Sequence, residues 1–491
     1  MLLALLPAAI LAAAEPMNVL IIQTDEHNFR TLGCYRDLMP KEQAFIWGGG
    51  VKVDTPNIDW LAKNGAICDR DYATTPVCTP SRAALISGLY PQNTGAITNN
   101  TPLKESVMTF AEVLNRKGYA TGYAGKWHLD GDSKPGWKLA RNFGFSDNRF
   151  MFNRGQWKKL EMGPDGPRVG AHKDGEPNYN LNGADEKTFA TDFLADRTID
   201  FIRTNKDKPF RFMVAIPDPH GPNTVRAPYD TMFDPAPFRQ PASALAKGEG
   251  LASFQKAAKD RFKAKQMALY FGMVKCIDDN LGKILDELRQ QDILSRTLIV
   301  FTSDHGDMCG ELGRHNKGIP CEGSARIPFV IHAPGLIEPG TVIHEALGTV
   351  DFKPTLLSLL GEKLEGPQEG RDAALLFRTG KAPENWENVT FVRIGKADRP
   401  TGKSWFGAFT SGHKPVLSAS DPPGFFDLTK DPHELRNGLK APGNRDEIRR
   451  LAKLLKAYGE TYKEALMSSK VVQADLEWAI GDRVSYDVSA R

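Results

Sequence analysis

Four short apolar runs in this chain each give way at once to residues that carry charge or bind protons, and this pattern restricts the fold more than any other. Asn18-Val19-Leu20-Ile21-Ile22 leads into Thr24-Asp25-Glu26, and Ala120-Thr121-Gly122-Tyr123-Ala124 leads into Gly125-Lys126-Trp127-His128. Phe212-Met213-Val214-Ala215-Ile216 leads into Pro217-Asp218-Pro219-His220, and Leu298-Ile299-Val300-Phe301 into Thr302-Ser303-Asp304-His305-Gly306. Unbroken apolar runs suit strands covered on both faces, as in a parallel sheet. Helical patterns lie between them. The clearest is Met267 to Gln291, where Tyr270, Phe271, Val274, Ile277, Leu281, Ile284, Leu285 and Leu288 keep one face apolar. Val107 to Lys117 and Asp192 to Arg203 read the same way. The alternation predicts an α/β fold, a doubly wound, mostly parallel sheet with helices on both faces. Ligands of such sheets gather at the carboxyl ends of the strands, which is where the polar residues fall.

From about Gly380 the pattern changes. Val389 to Ile394, Trp405 to Thr410 and Lys414 to Leu417 read as short strands joined by Gly/Pro turns, followed by a helix-like Asp446 to Leu466. The expected division is a signal peptide at 1–14, a large α/β domain at 15–379 and a smaller α+β domain with an antiparallel sheet at 380–491. Segments 131–188 and 222–260, rich in Gly, Pro, Lys and Asp, read as surface insertions over the active edge, where substrate selection commonly resides.

A chain of 491 residues suits one large and one small domain. With 63 Lys+Arg against 60 Asp+Glu, no global field points to a nucleic-acid partner. Function must come from local sites. Residues 2–14, LLALLPAAILAAA, have the pattern of a secretory h-region with cleavage near Ala14, so export to the periplasm or medium is expected. The run carries no Lys or Arg before it, which leaves a misassigned start or a buried first strand open. It is too short to span a bilayer, and no other stretch is apolar enough to do so. Six cysteines, Cys34, Cys68, Cys78, Cys276, Cys309 and Cys321, are too few for a disulfide scaffold; if the protein is exported, Cys309 with Cys321 is the first pair to check.

The most specific segment is Val77-Cys78-Thr79-Pro80-Ser81-Arg82, continuing to Gly88. Pro80 suits the first turn of a helix, so Cys78 sits where unpaired backbone N–H groups favour an anion, with Arg82 one turn on. An activated nucleophile beside a cation fits attack on a sulfate or phosphate ester. The plain alternative is a buried cysteine ahead of a capped helix.

Cys78-Thr79-Pro80-Ser81-Arg82 also matches the C-x-P-S-R signature of the type I sulfatases, of the alkaline-phosphatase superfamily. Further segments follow in the family's order: Asp25-Glu26, Thr55-Pro56-Asn57-Ile58-Asp59, Gly125-Lys126-Trp127-His128, Pro219-His220, Thr302 to Gly306, Lys317 with Glu322-Gly323, and Phe426-Asp427-Leu428 with Asp431-Pro432. The resemblance spans roughly residues 17 to 440 and implies an alkaline-phosphatase-like fold that hydrolyses a sulfate ester. It implies that a formylglycine-generating maturation enzyme oxidises Cys78, and that the hydrated aldehyde is the nucleophile. Asp25, Asp304 and His305, completed by the modified Cys78, would hold one divalent metal ion, usually Ca²⁺. Arg82 and Lys126 would hold formylglycine and sulfate oxygens, and His128 would assist the second hydroxyl. His220 and Lys317 would bind sulfate and protonate the leaving alcohol. A sulfated small molecule or glycan is the expected substrate.

The sequence departs from the family's commonest pattern at Glu26, where a second Asp is frequent, and at His305, where Asn is frequent. Glu26 is either a further metal ligand or a supporting acid, and imidazole at 305 weakens the case for calcium. A zinc site from His305, Cys309, His315 and Cys321 has no familiar spacing. Ala397 to Ser404 nearly matches a P-loop but precedes a strand-like run. Two competing functions remain: a phosphonate monoester or phosphodiester hydrolase using the same site, and a glycan-binding protein with unmodified Cys78.

Overall fold

The structure, a computed structural model, describes residues 17–253, 256, 262–396, 401–481 and 486. The expected signal segment, residues 257–261 of a Lys-rich stretch that runs from Lys256 to Lys265 and reads as a solvated helix face, and residues 397–400 of the near P-loop lie outside these. The strands of the main sheet are, in chain order, β1 (Asn18–Asp25), β2 (Ala66–Cys68), β3 (Ala120–Lys126), β4 (Asp147–Phe152), β5 (Phe210–Pro219), β6 (Thr297–Ser303), β7 (Phe329–His332) and β8 (Thr341–Ile343). Across the sheet they lie β8-β2-β7-β6-β1-β5-β3-β4. The block β6-β1-β5-β3-β4 is parallel throughout, whereas β7 runs against both its neighbours.

Side-chain alternation along the central strands explains why each run is apolar from end to end. Leu20, Ile22, Phe212, Val214, Ile299 and Phe301 enter one core, with the long helix Ala264–Gln290 packed on it. Val19, Ile21, Met213, Ala215, Leu298 and Val300 enter the other, where Ala83, Leu85 and Ile86 of the helix Cys78–Ser87 lie. Both faces are therefore dry, as a doubly wound sheet requires.

A smaller C-terminal domain carries an antiparallel sheet of Thr390–Ile394, Trp405–Phe409, His413–Ser418 and Gly424–Asp427. Its helix Arg445–Thr461 buries Ile448, Leu451, Leu455 and Tyr458 against Phe406, Ala408, Leu417 and Phe425. Ala84, Tyr90 and Val350 join the same cluster, so the seam between the two sheets is apolar.

Several expectations need correction. Segment 131–188 is not only a surface insertion: it supplies the edge strand β4 and two small hairpins, Leu160–Gly163 with Gly166–Val169 and His172–Lys173 with Glu176–Pro177. The helix expected from Val107 starts at Phe110, because Thr109 and Glu112 form a capping box that fixes the first turn. The last helix expected to reach Leu466 stops at Thr461, and a second one, Lys470–Ile480, follows with Ser469 as its cap. Cys309 is a free thiol, so no bridge joins it to Cys321. Among the described residues no helix is long and apolar enough to cross a membrane.

One glycine fixes how closely β3 and β5 approach just before Lys126. Gly125 has φ +102°, and a Cβ there would lie 2.0 Å from the carbonyl oxygen of Ala215. Gly125→Ala is expected to cost about 3 kcal/mol in urea unfolding. Gly131→Ala, at φ +75° with open space around it, should cost only the left-handed term of about 1 kcal/mol. Equal shifts would contradict the close approach.

Candidate active site

The carboxyl edge of the parallel block gathers the residues singled out in the sequence. Asp25 ends β1 and Lys126 ends β3; His220 directly follows β5, and Asp304 and His305 follow β6. Cys78 opens its helix after the extended Val77, with Pro80 inside the first turn. Thr79 N–H donates to Asn99 Oδ1 at 3.1 Å, which anchors that helix start. Cys78 Sγ lies 3.2 Å from His305 Nε2.

Arg82, one turn further, is the hub. Its Nε donates to Asp304 Oδ2 at 2.9 Å and its Nη2 to Asp25 Oδ2 at 3.0 Å. Its Nη1 donates to the Lys126 carbonyl at 2.8 Å and to Gln23 Oε1 at 3.1 Å. Lys126 Nζ adds a 2.6 Å contact to Asp25 Oδ2. Arg82 thus meets carboxylates and backbone with its whole fork, where the family resemblance led us to expect contact with formylglycine and sulfate.

A second group stands beside the first. Glu26 adopts φ +63°, a left-handed conformation that costs a non-glycine residue about 1–3 kcal/mol and is found mainly at functional positions. Its Oε2 lies 2.9 Å from His220 Nε2 and 3.0 Å from Lys317 Nζ, and those two nitrogens are 2.7 Å apart. His220 Nδ1 faces the Gly221 carbonyl at 2.8 Å and so carries a hydrogen; Nε2 is the nitrogen left to exchange a proton. Behind it, the buried Lys158 Nζ donates to the His220 carbonyl at 2.9 Å and pairs with Asp218 Oδ1 at 2.5 Å. Asp218 Oδ2 in turn accepts from Thr191 at 2.6 Å. His128 has φ +63°; its Nε2 is 2.9 Å from Asn100 Oδ1 and its carbonyl accepts from Thr79.

Burial and charge act against each other here, and charge wins at most positions. Burial would raise Asp25 and Glu26, but Lys126, His220 and Arg82 around the first and His220 and Lys317 around the second hold both below the usual carboxylate range. Burial and the neighbouring Asp25 charge both push Asp304 up. The Cys78 thiol, which burial would raise, is held well below its ordinary value by Lys126 and Lys317. Burial lowers His305, yet Asp304 and Cys78 lift it to about 9. Burial holds His128 below the ordinary histidine value, whereas the Glu26 carboxylate raises His220 against its burial.

The donor set fits a divalent cation. Ligand atoms of Asp25, Cys78, Asp304 and His305 lie within 4.8 Å of one another, as do those of Asp25, Glu26 and His220. Asp25 Oδ1 and Glu26 Oε1 are buried without a hydrogen-bond partner, an expensive state for ionised oxygens unless a cation faces them. Neither cluster includes Cys309, His315 or Cys321, so the zinc alternative gains nothing among the described residues. The structure therefore brings together Asp25, Glu26, Cys78, Arg82, Lys126, His220, Asp304, His305 and Lys317, with His128 joined through Thr79. Sequence reasoning missed Gln23, Asn99, Asn100 and Lys158. Asp218 lay inside a quoted run, and its place among apolar residues was the available signal.

Comparison with known proteins agrees with this geometry. The sulfatase family model matches residues 17–362, and the model described as N-sulphoglucosamine sulphohydrolase, C-terminal, matches residues 310–461. Arylsulfatase A of Homo sapiens is 30% identical over 494 aligned residues, covering 88% of this chain and 85% of that protein. N-acetylglucosamine-6-O-sulfatase of Bacteroides thetaiotaomicron is 25% identical, covering 91% of this chain and 87% of that one. A solved complex of a protein with its substrate D-glucosamine-2-N,6-O-disulfate shares the fold, with a TM-score of 0.73, 22% identity, and 92% and 99% of the two chains covered. With a family model matched over more than half its length and these charged side chains gathered at the sheet's carboxyl edge, the chain belongs to the sulfatase family and is a sulfuric ester hydrolase.

Proposed function

We propose that the reaction centre of this sulfatase is position 78, oxidised to formylglycine by a maturation enzyme, with its substrate's sulfate held between Lys126, His220 and Lys317. The observation that carries the reading is the convergence of these cations and three carboxylates, Asp25, Glu26 and Asp304, on the Cys78 helix start. Negative charge grows between nucleophile and leaving group as sulfate is displaced, and fixed cations stabilise it. A hydrated aldehyde offers two hydroxyls, one to attack sulfur and one whose collapse expels the sulfate.

Each residue's share follows from its contacts. Arg82 aligns Asp25 and Asp304 and thereby orients the metal-binding edge, rather than touching sulfate. Asp25, Glu26, Asp304 and His305, together with position 78, would hold the metal. A bound divalent cation supplies positive charge to the sulfate oxygens and acidifies the attacking hydroxyl. The preponderance of carboxylate oxygens supports calcium. His220 Nε2, next to the Lys317 ammonium, is poised to hand a proton to the departing alcohol. His128 supports the second hydroxyl from the Thr79 side.

The substrate we propose is a sulfated carbohydrate. Support comes from the match to the N-sulphoglucosamine sulphohydrolase C-terminal model and from the named N-acetylglucosamine-6-O-sulfatase relative. The apolar run at 2–14 supports export to where such glycans lie. The change of pattern near residue 380 supports a domain division at that point.

Cys78→Ala should abolish aryl sulfate hydrolysis in a protein with unchanged circular dichroism, and mass spectrometry of the wild-type peptide should show the lighter aldehyde. Full activity in the alanine variant would remove the nucleophile assignment, and a peptide that is wholly thiol after co-expression with a maturation enzyme would favour a binding role. Lys317→Ala and His220→Ala should reduce kcat by about 100-fold or more for an alkyl sulfate but only about 10-fold for 4-nitrophenyl sulfate, whose leaving group needs no proton. A uniform loss across both substrates would contradict the acid role. Faster turnover of an aryl phosphonate than of the matched sulfate would point to the phosphonate alternative.

A further inference from the structure

Lys317 reaches Glu26 from a loop, Asn316 to Cys321, which belongs to no strand of the main sheet, so something else must hold its ammonium in place. The small domain does so from behind. Trp405 Nε1 donates to the Gly318 carbonyl at 3.3 Å, one residue from Lys317. Lys414 Nζ donates to the Pro320 carbonyl at 2.9 Å. Glu434 Oε2 accepts from the Glu322 backbone N–H at 2.7 Å. Two carbonyls of the loop and the N–H of the residue that follows it are thus gripped by side chains of the C-terminal domain.

The grip is electrostatically closed. Lys414, wholly buried, pairs with Glu322 Oε1 at 3.1 Å and with Glu434 Oε1 at 2.5 Å. Glu322 Oε1 also accepts from Tyr72 at 3.1 Å, and Oε2 from Arg70 and Arg326, both at 3.3 Å. Glu322, from one of the motif segments of the sequence, therefore serves this knot. A buried charge pair adds little net stability, because desolvation offsets its attraction, but it tolerates few alternative geometries.

We propose that Lys414 is a positioning residue for Lys317: by tying Pro320 to Glu322 and Glu434 it sets where the Lys317 ammonium meets Glu26 and His220. The small domain then takes part in catalysis without supplying a reacting group. The proposal rests on Lys317 working at the reaction centre, as argued above.

A double-mutant cycle on the matured full-length protein tests it, using kcat/KM for 4-nitrophenyl sulfate, with circular dichroism and melting temperature confirming the fold. Lys414→Gln should lower kcat/KM for this substrate about 5- to 10-fold, approaching but not exceeding the loss from removing Lys317 itself, since a displaced group forfeits at most what it contributes. In a Lys317→Ala background the same change should cost less than about 3-fold, because the group it positions is gone. Loss of the full factor in both backgrounds, or no loss in the wild type, would overturn the proposal. If Lys414→Gln does not fold, Trp405→Phe removes the N–H to Gly318 and one ring of the indole while keeping an aromatic in the buried slot, and should give about a 3-fold loss that vanishes without Lys317; persistence of that loss is again the contrary result. The cycle reads coupling between positions 414 and 317 whatever step Lys317 serves. Failure of the acid assignment would instead appear as leaving-group independence in Lys317→Ala alone.

Discussion

The guanidinium of Arg82 ties the helix that carries Cys78 to three strand ends of the main sheet. It meets Asp25 and Gln23 of β1, the last carbonyl of β3 and Asp304 beyond β6, each within hydrogen-bond distance. The side chain is 3% exposed and both carboxylates are fully buried, so these pairs are formed away from water. Removing one partner of such a pair typically costs on the order of 3–5 kcal/mol, because the other charge is left uncompensated. Arginine suits this task where lysine would not, since its planar fork presents several donors in fixed directions. The consequence for chemistry lies in what Arg82 leaves over: it engages one oxygen of Asp25 and leaves Oδ1 without a hydrogen bond, beside Asp304, His305 and Cys78.

Outward from that hub, the segments that carry His220 and Lys317 are each held by a further buried charge. His220 is braced through Lys158 and Asp218, which tie segment 131–188 to the end of β5. Lys317 is braced through Lys414 and Glu322, which tie the small domain to the loop. The parallel sheet thus brings Asp25, Lys126, Asp304 and His305 to one edge by topology alone, whereas the groups proposed to handle the leaving group depend on additions to it. That division explains why regions far from β1 in sequence converge on one small volume.

The fold and the site were legible in the sequence to different depths, for physical reasons. Strands β1, β3, β5 and β6 were readable because burial on both faces demands unbroken apolar runs, and the residue after each run lands on the ligand edge by the direction of the strand. The edge strand β4 was not: Asp147-Asn148-Arg149-Phe150 is half solvated and reads as loop composition. The helix Lys470–Ile480 carried its signal in the Ser469 cap but no long apolar stripe. Individual site residues were identifiable from motif chemistry, yet their partnerships were not. Nothing in Arg82's neighbourhood along the chain tells that it faces two carboxylates from 57 and 222 positions away. Lys158 and Lys414 were invisible as supports because a buried lysine in sequence looks like any surface lysine.

The central claim is that the carboxylates arranged by Arg82 hold a divalent cation directly against the side chain at position 78. Anomalous scattering from crystals of the matured protein grown with calcium tests it most directly. The account predicts a single strong ion peak bonded to carboxylate oxygens of Asp25 and Asp304 and adjoining an oxidised residue 78. A calcium-saturated crystal with no peak at that edge, or with its ion bound elsewhere while the enzyme turns over, would contradict it.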